Sequence, residues 1–292
     1  MLGRSKITPY ILIAPAILVL IFMVAYPLYY GIRLSFTNMN LYTFLNPEFI
    51  GIDNYKDIFK DTELYTTTIR TIVWTIINII LTVTLGFIFA LFYNRKLPSK
   101  NIFRVIMMLP WAVPQYIAVL TWRNMFQQQY GTIDIVLNNM GITGISWLGD
   151  PFWIFTACII VNVWLGVPFM MIITLGAMQS VPHELYEVGQ LDGVKSWTKH
   201  LKITIPLIKP VLTPAIVLST VWTFNMVSVI YMMTARNGDN DTQILVSRVY
   251  KDAFTFFNYG KAAAFSVIIF VLLLIFSSTI IKAMKGGEGV YE

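Results

Sequence analysis

Of the 292 residues, 57% are hydrophobic and 15% aromatic, while only 12% are charged, a balance that ordinary soluble domains do not show. One cysteine, Cys158, and two histidines, His183 and His200, exclude an internal disulfide, a thiolate metal centre, a zinc site and a catalytic triad. The net charge of +6 fits membrane topology and calls for no nucleic-acid partner.

The apolar residues are gathered into uncharged runs at 7–32, 71–94, 105–122, 151–183, 210–235 and 262–281. All but 105–122 reach the roughly 20 residues that carry a helix across a bilayer, and that run is extended by apolar neighbours between Arg104 and Arg123. The expectation is an all-α membrane protein with one transmembrane domain over 1–292 and six spans at about 9–36, 67–93, 102–125, 152–180, 210–235 and 260–284.

Arg4 and Lys6 before the first run also fit a signal peptide, but its length and the lack of a small-residue cleavage site favour a retained span. Pro15 and Pro27 are expected kinks there. Between spans one and two, Asp53, Lys56, Asp57 and Lys60 interleave with Tyr55 and Phe59, as in a short surface helix. In the third span, Pro110 and Pro114 of LPWAVP remove two backbone donors in neighbouring turns and should bend it, either to frame a pathway or with no transport role. Segments 126–150 and 236–259 are expected to be folded loops.

The segment 181–209 interrupts this pattern with charge and glycine. Pro182 suits a first helical turn, and Glu184 and Glu187 suit a positive helix N-terminus. Gly193 is the usual kind of residue for a left-handed C-terminal cap. Ser196 can cap a second short helix running to Lys202, which Pro206 and Pro210 should stop. Such a hairpin would either rest on anionic lipid or enter a partner's groove.

With the N-terminus inside the cell, twelve of the 21 basic residues but five of the 15 acidic ones face the cytoplasm. The positive-inside rule then predicts cytoplasmic termini, a cytoplasmic 94–104 loop and a cytoplasmic hairpin.

Glu187, then Gly193, then Ile203-Thr204-Ile205-Pro206 after nine intervening residues resemble the EAA motif of binding-protein-dependent ABC importer permeases. Val188 and Gly189 replace its alanines and Ile205 its leucine, while the spacing is kept. FIGIDNY, LPWAVP, WLGD with NVWLGVPFMM, and VYKDAF with NYGKAAAFS resemble the carbohydrate-importer, MalF-like branch from about residue 9 to 284. The resemblance implies a MetI-like permease fold with a cytoplasmic coupling helix in a prokaryotic plasma membrane. It also implies three kinds of partner besides the lipid bilayer: a second permease subunit, two cytoplasmic ATPase subunits holding ATP and Mg, and an extracellular solute-binding protein. No G-x-x-x-x-G-K-[ST] phosphate loop occurs in this chain, so the expectation is a permease without its own cofactor or ATP site.

By the same resemblance, Glu184, Glu187, Gly193, Ile203 and Pro206 belong to the ATPase-coupling element, and the sugar-binding positions fall on Gly166, Phe169, Ser219, Trp222, Thr223 and Met226. A threonine and a methionine there depart from the maltose-specific pattern. Trp222, Thr223 and Asn225 offer the stacking, hydroxyl and amide groups that a sugar ring needs, although Trp222 and Phe169 also suit ordinary helix packing. Ser219 equally suits a bond to its own helix, and Asn225 a neighbouring helix. Spans four to six lack buried charge, which favours a neutral polar solute. A glycerol phosphate or other anionic solute would draw on Arg123 and Arg236. A stand-alone secondary transporter is disfavoured, because buried acids for ion coupling are lacking.

Overall fold

A computed structural model describes residues 8–95, 100–191, 193–234 and 240–285. Arg236, Gly238 and Asp239, the charges at Arg4, Lys6, Lys96, Asp192, Glu288 and Glu292, and residues Leu97, Pro98 and Ser99 of the expected basic loop lie outside the described residues.

The architecture is helical, with one isolated antiparallel bridge, Thr37 to Phe49, among the described residues. In chain order the helices are α1 (Thr8–Leu20), α2 (Tyr26–Leu34), α3 (Asp53–Lys60), α4 (Thr62–Asn94), α5 (Lys100–Ala112), α6 (Gln115–Met125) and α7 (Thr132–Asn139). They continue with α8 (Pro151–Gln179), α9 (His183–Leu191), α10 (Ser196–Lys199), α11 (Ile205–Phe224), α12 (Val227–Thr234), α13 (Leu245–Phe254) and α14 (Tyr259–Lys285). Five stretches are long and apolar enough to cross a membrane: Tyr10–Leu34, Thr62–Asn94, Pro151–Gln179, Trp197–Thr234 and Tyr259–Lys282. The third expected span is α5 and α6 together, bent by 96° at Val113–Pro114. This is a break rather than the expected bend: Pro114 takes an extended conformation before α6, as the loss of its N–H and its fixed φ favour.

The described residues up to Tyr65 form one compact unit with Arg248–Leu272. Its first span has no buried residue, as expected of a helix presented to lipid. The α3 helix confirms the expected surface helix and buries Ile58. Asn54 Nδ2 donates to the Ser35 and Thr37 carbonyls at 2.9 and 2.8 Å, satisfying backbone acceptors past the end of α2. Arg248 is paired with Asp61, lies 3.6 Å from Glu63 and stacks its guanidinium 5.3 Å from the Phe265 ring centre. Burial alone would raise the Asp61 carboxyl, but the hydrogen bond from Arg248, a backbone bond and two nearby cations hold it below its ordinary value.

The second unit comprises Thr66–Ser247 and the residues from Leu273 onward. Its axis is α8, started by Asp150, whose carboxylate accepts the Phe152 and Trp153 amides, with Pro151 in the first turn. Helix α8 packs against α5, α11 and α12. On α4, the polar residues Thr67, Thr71, Thr75, Asn78 and Thr82 recur every three or four positions and are all buried, so they form one inward stripe. Asn162 Nδ2 donates to Asn78 Oδ1 at 2.8 Å, and Thr71 Oγ1 accepts the Leu245 amide at 2.9 Å. Away from water, such bonds hold helices together where apolar burial cannot discriminate between protein and lipid.

The two segments expected to be loops contain short helices, α7 and α13. Helix α7 follows a turn in which the buried Asp134 carboxylate accepts the Gln129 amide at 2.9 Å.

Candidate functional site

Two parts of the second unit hold the residues singled out by sequence. The first is the hairpin at 183–204. Helix α9 begins at His183, one residue after Pro182. At its other end the Val194 amide bonds to the Gly189 carbonyl at 3.0 Å and the Gly193 amide to the Gln190 carbonyl at 3.1 Å. With Gly193 at φ +69°, this is a Schellman cap, so the left-handed turn expected there is present. Glu184, Leu185, Glu187, Val188 and Leu191 are exposed, and the Glu187 carboxylate lies 3.2 Å from His183 Nδ1 one turn earlier. Gly189 is buried against the following segment, where a Cβ would come 3.0 Å from the Ile203 Cδ1 methyl. The glycine standing in place of the motif's second alanine thus allows α9 to approach Ile203 closely.

The expected second helix ending at Lys202 is not what forms. Lys195 takes the extended flanking conformation and Ser196 is the first helical residue, so Ser196 is not the cap. After α10, a π turn at His200–Thr204 leads directly into α11, and Trp197–Thr234 reads as one long apolar stretch. Pro206 and Pro210 do not stop it. A proline at position i leaves the carbonyl at i−4 without a donor and crowds it. Here the turn before Pro206 widens, so that the Ile205 amide bonds five residues back to His200. The same solution recurs in the first span, where the Tyr26 amide bonds back to Ile21 just before Pro27.

The second part is where two helix breaks meet. Helix α11 ends at Phe224 and α12 starts at Val227, with Asn225 and Met226 between. The broken end exposes carbonyls that, in a membrane, must find partners. Trp74 Nε1 donates to the Thr223 carbonyl at 2.9 Å, while Asn225 Nδ2 and its own amide both donate to the Val221 carbonyl at 2.8 and 3.2 Å. Asn225 therefore bonds its own helix. The other break, at Val113–Pro114, brings Gln115 to Met226, with Nε2 2.6 Å from Sδ, as α6 packs on α12.

The expected substrate residues divide at this point. Trp222 and Asn225 are exposed, Phe169 and Met226 are half-buried, and Ser219 and Thr223 are buried in the protein. The Phe169 and Trp222 rings meet edge to face at 5.1 Å. Gly166 lies against α4, where a Cβ would come 3.1 Å from Thr82 Cγ2; it lets two helices approach. The sequence reading missed Gln115 and Trp74. Gln115 carried a signal, being a polar residue directly after Pro114 in an apolar run, whereas Trp74 is indistinguishable by sequence from a lipid-facing indole.

Residues 82–284 match the model of the binding-protein-dependent transport system inner membrane component. The chain belongs to that family. This permease is 32% identical over 234 residues to the trehalose/maltose transport system permease protein MalF of Thermococcus litoralis, covering 80% of this chain and 79% of that one. It is 30% identical over 279 residues to the diacetylchitobiose uptake system permease protein DasB of Streptomyces coelicolor, covering 92% and 84%. A chain of a bacterial ABC transporter involved in the import of the acidic polysaccharide alginate superposes with a TM-score of 0.81 at 19% identity, covering 96% of both chains. That likeness establishes the MetI-like permease fold, and the permease is a multi-pass membrane protein.

Proposed function

We propose that this chain is a transmembrane subunit of an ATP-driven importer that passes a neutral sugar or oligosaccharide, delivered by an extracellular solute-binding protein. One observation carries the reading: the Phe169–Trp222 ring pair and the amides of Asn225 and Gln115 flank two helix breaks that share the Gln115–Met226 contact. Broken helices are where membrane transporters place substrate sites, because irregular backbone persists at membrane depth only inside protein or along a cavity. Aromatic faces cover the apolar side of a sugar ring, and amides pair with its hydroxyls. No Asp, Glu, Lys, Arg or His occurs within 152–180, 210–235 or 262–281, which suits a solute without charge. Trp222, Asn225, Phe169 and Met226 are assigned to the substrate path, and Gly166, Ser219 and Thr223 to its supporting packing.

The hairpin is the joint to the ATPases. With both termini cytoplasmic, α9 presents Glu184, Glu187, Val188 and Leu191 away from the protein body. Glu187 pairs with a basic group of an ATPase subunit, and ATP and Mg are bound there rather than here. Closure of two ATPases moves α9, and access to the site alternates by rigid-body rotation of attached spans. A second permease chain completes the path in the plasma membrane of a prokaryote.

Reconstitution with a partner permease, ATPase and solute-binding protein tests this. Uptake of a neutral oligosaccharide should require ATP and all components and be lost in Glu187→Ala. Uptake by this chain alone on an ion gradient would refute it. An anionic solute, such as glycerol phosphate or an acidic sugar, is the second reading, favoured by the buried Arg123 Nε, which lacks a hydrogen-bond partner among the described residues. Preferential binding of phosphate esters or acidic sugars by the cognate solute-binding protein would select it.

A further inference from the structure

Helix α9 has two faces. The outer one carries Glu184, Glu187, Val188 and Leu191, all exposed. The inner one carries Tyr186 and Gly189, three residues apart and so on one side of the helix, and it rests on the π turn before α11. Gly189 meets Ile203 as described, and Tyr186 Oη lies 3.0 Å from Thr204 Oγ1. Thr204 is 1% exposed, and its hydroxyl is also 3.2 Å from His200 Nδ1. A threonine hydroxyl has one proton and two acceptor positions, so this single buried group joins the hairpin helix, the first residue of the π turn and its last.

The π turn gives that node mechanical meaning. A π turn is rare and occurs mostly as a single widened turn inside an α-helix, often where function needs it. Two features fix it here: Pro206, which withholds the amide that would restore the α pattern, and the Tyr186–Thr204 bond, which pins the turn to α9. Beyond Thr204 the chain continues as α11 to Phe224, beside Trp222 and Asn225.

We propose that Tyr186 and Thr204 are positioning residues for coupling, forming the strut through which displacement of α9 is passed into α11. The strut rests on the reading of α9 as the ATPase-coupling element. Neither residue faces the partner. Tyr186 transmits from the inner side what Glu187 receives on the outer side, and Thr204 passes it to the helix that carries the substrate-path residues.

The test uses the full reconstituted importer with Tyr186→Phe, Thr204→Val, both together, and the conservative Thr204→Ser. Two quantities are read: solute moved per ATP hydrolysed, and recovery of ATPase subunits with the permease. Tyr186→Phe and Thr204→Val should each lower the transport-to-hydrolysis ratio roughly two- to tenfold, the scale of one hydrogen bond, with ATPase recovery unchanged. The double variant should be no worse than Thr204→Val alone, since that variant has already removed the bond that Tyr186→Phe removes. Thr204→Ser should keep the ratio. If a Thr204 variant fails to insert, Tyr186→Phe, on the accessible helix, carries the test. A wild-type ratio in Tyr186→Phe alongside an uncoupled Glu187→Ala would overturn the strut alone. Normal coupling in both would overturn the assignment of α9 itself. Additive losses in the double variant would overturn the shared bond.

Discussion

Replacing Gly193 by asparagine, alanine and valine separates the backbone conformation of the hairpin turn from its contacts. At φ +69° a Cβ on this residue would meet nothing within 4 Å, so space does not set the cost. What does is the approach of a Cβ to its own backbone in the left-handed region, about 1–2 kcal/mol for an ordinary L residue. The cost is smaller for asparagine, which visits that region, and larger for a β-branched side chain. A penalty of that size lowers the population of the closed turn by a factor of about 5 to 30. The amides that report it are those of Gly193 and Val194, bonded to Gln190 and Gly189 at 3.1 and 3.0 Å. Hydrogen exchange of the full chain in bilayer discs should show protection of Val194 falling in the order glycine, asparagine, alanine, valine. Substrate-stimulated ATP hydrolysis of the assembled importer should fall in the same order. Wild-type protection of Val194 in the alanine and valine variants would refute the account of the turn, whatever happened to transport.

Trp222→Ala should reduce sugar uptake while leaving ATPase assembly intact, since Trp222 is exposed and its ring meets Phe169 only along an edge; unchanged uptake would return it to packing. Trp74→Phe removes the indole donor from the Thr223 carbonyl in a buried setting and should lower stability by about 1–3 kcal/mol, read as thermal unfolding in detergent; no shift would mean another donor replaces it. The Asp252 carboxyl is raised above its ordinary value, chiefly by burial, with Lys261 and Arg248 pulling part of the way back. A raised carboxyl favours the protonated fold, so its contribution is full below the ordinary value of 3.8 and is lost as pH rises through the raised one. Asp252→Asn should therefore flatten the pH dependence of thermal unfolding in that window, and parallel curves for variant and wild type would refute the sign.

The apolar spans and the first helix and turn of the hairpin were legible because each rests on a local rule. Uncharged runs of bilayer length need no tertiary knowledge, and a glycine nine residues after an acid-rich helix start has few other uses than a left-handed cap. The reading failed where proline was taken as a stop. In water, Pro206 and Pro210 would be expected to end a helix, since freed carbonyls can turn to solvent. A widened turn carries the helix past the proline, because the amide before it bonds one residue further back, and both π turns among the described residues end two residues before a proline. The short helices α7 and α13 were illegible for the opposite reason. They are only two to three turns long and lie within segments whose polar and glycine-rich flanks read as loops, and α7 is held by contacts made after folding, such as the bond from the Gln129 amide to Asp134.

The candidate site was half legible, and the division has one cause. Trp222, Asn225 and Phe169 advertise chemistry by residue type, so the sequence singles them out. What gathers them at the candidate site is the interruption of α11 beside them, and no proline or glycine marks Asn225–Met226 as a break. The marks lie elsewhere in the chain. Trp74 supplies the donor that the broken end lacks, and the proline-induced break at 113–114 delivers Gln115 to Met226. A helix can be interrupted inside a membrane only where neighbours take over its hydrogen bonds, so the break at the proposed site is specified by the residues that repair it as much as by those proposed to touch a sugar. Sequence positions 74 and 115 are therefore expected to tolerate substitution less than their exposure-neutral types imply, and to do so through the backbone of 221–226 rather than through contact with the solute.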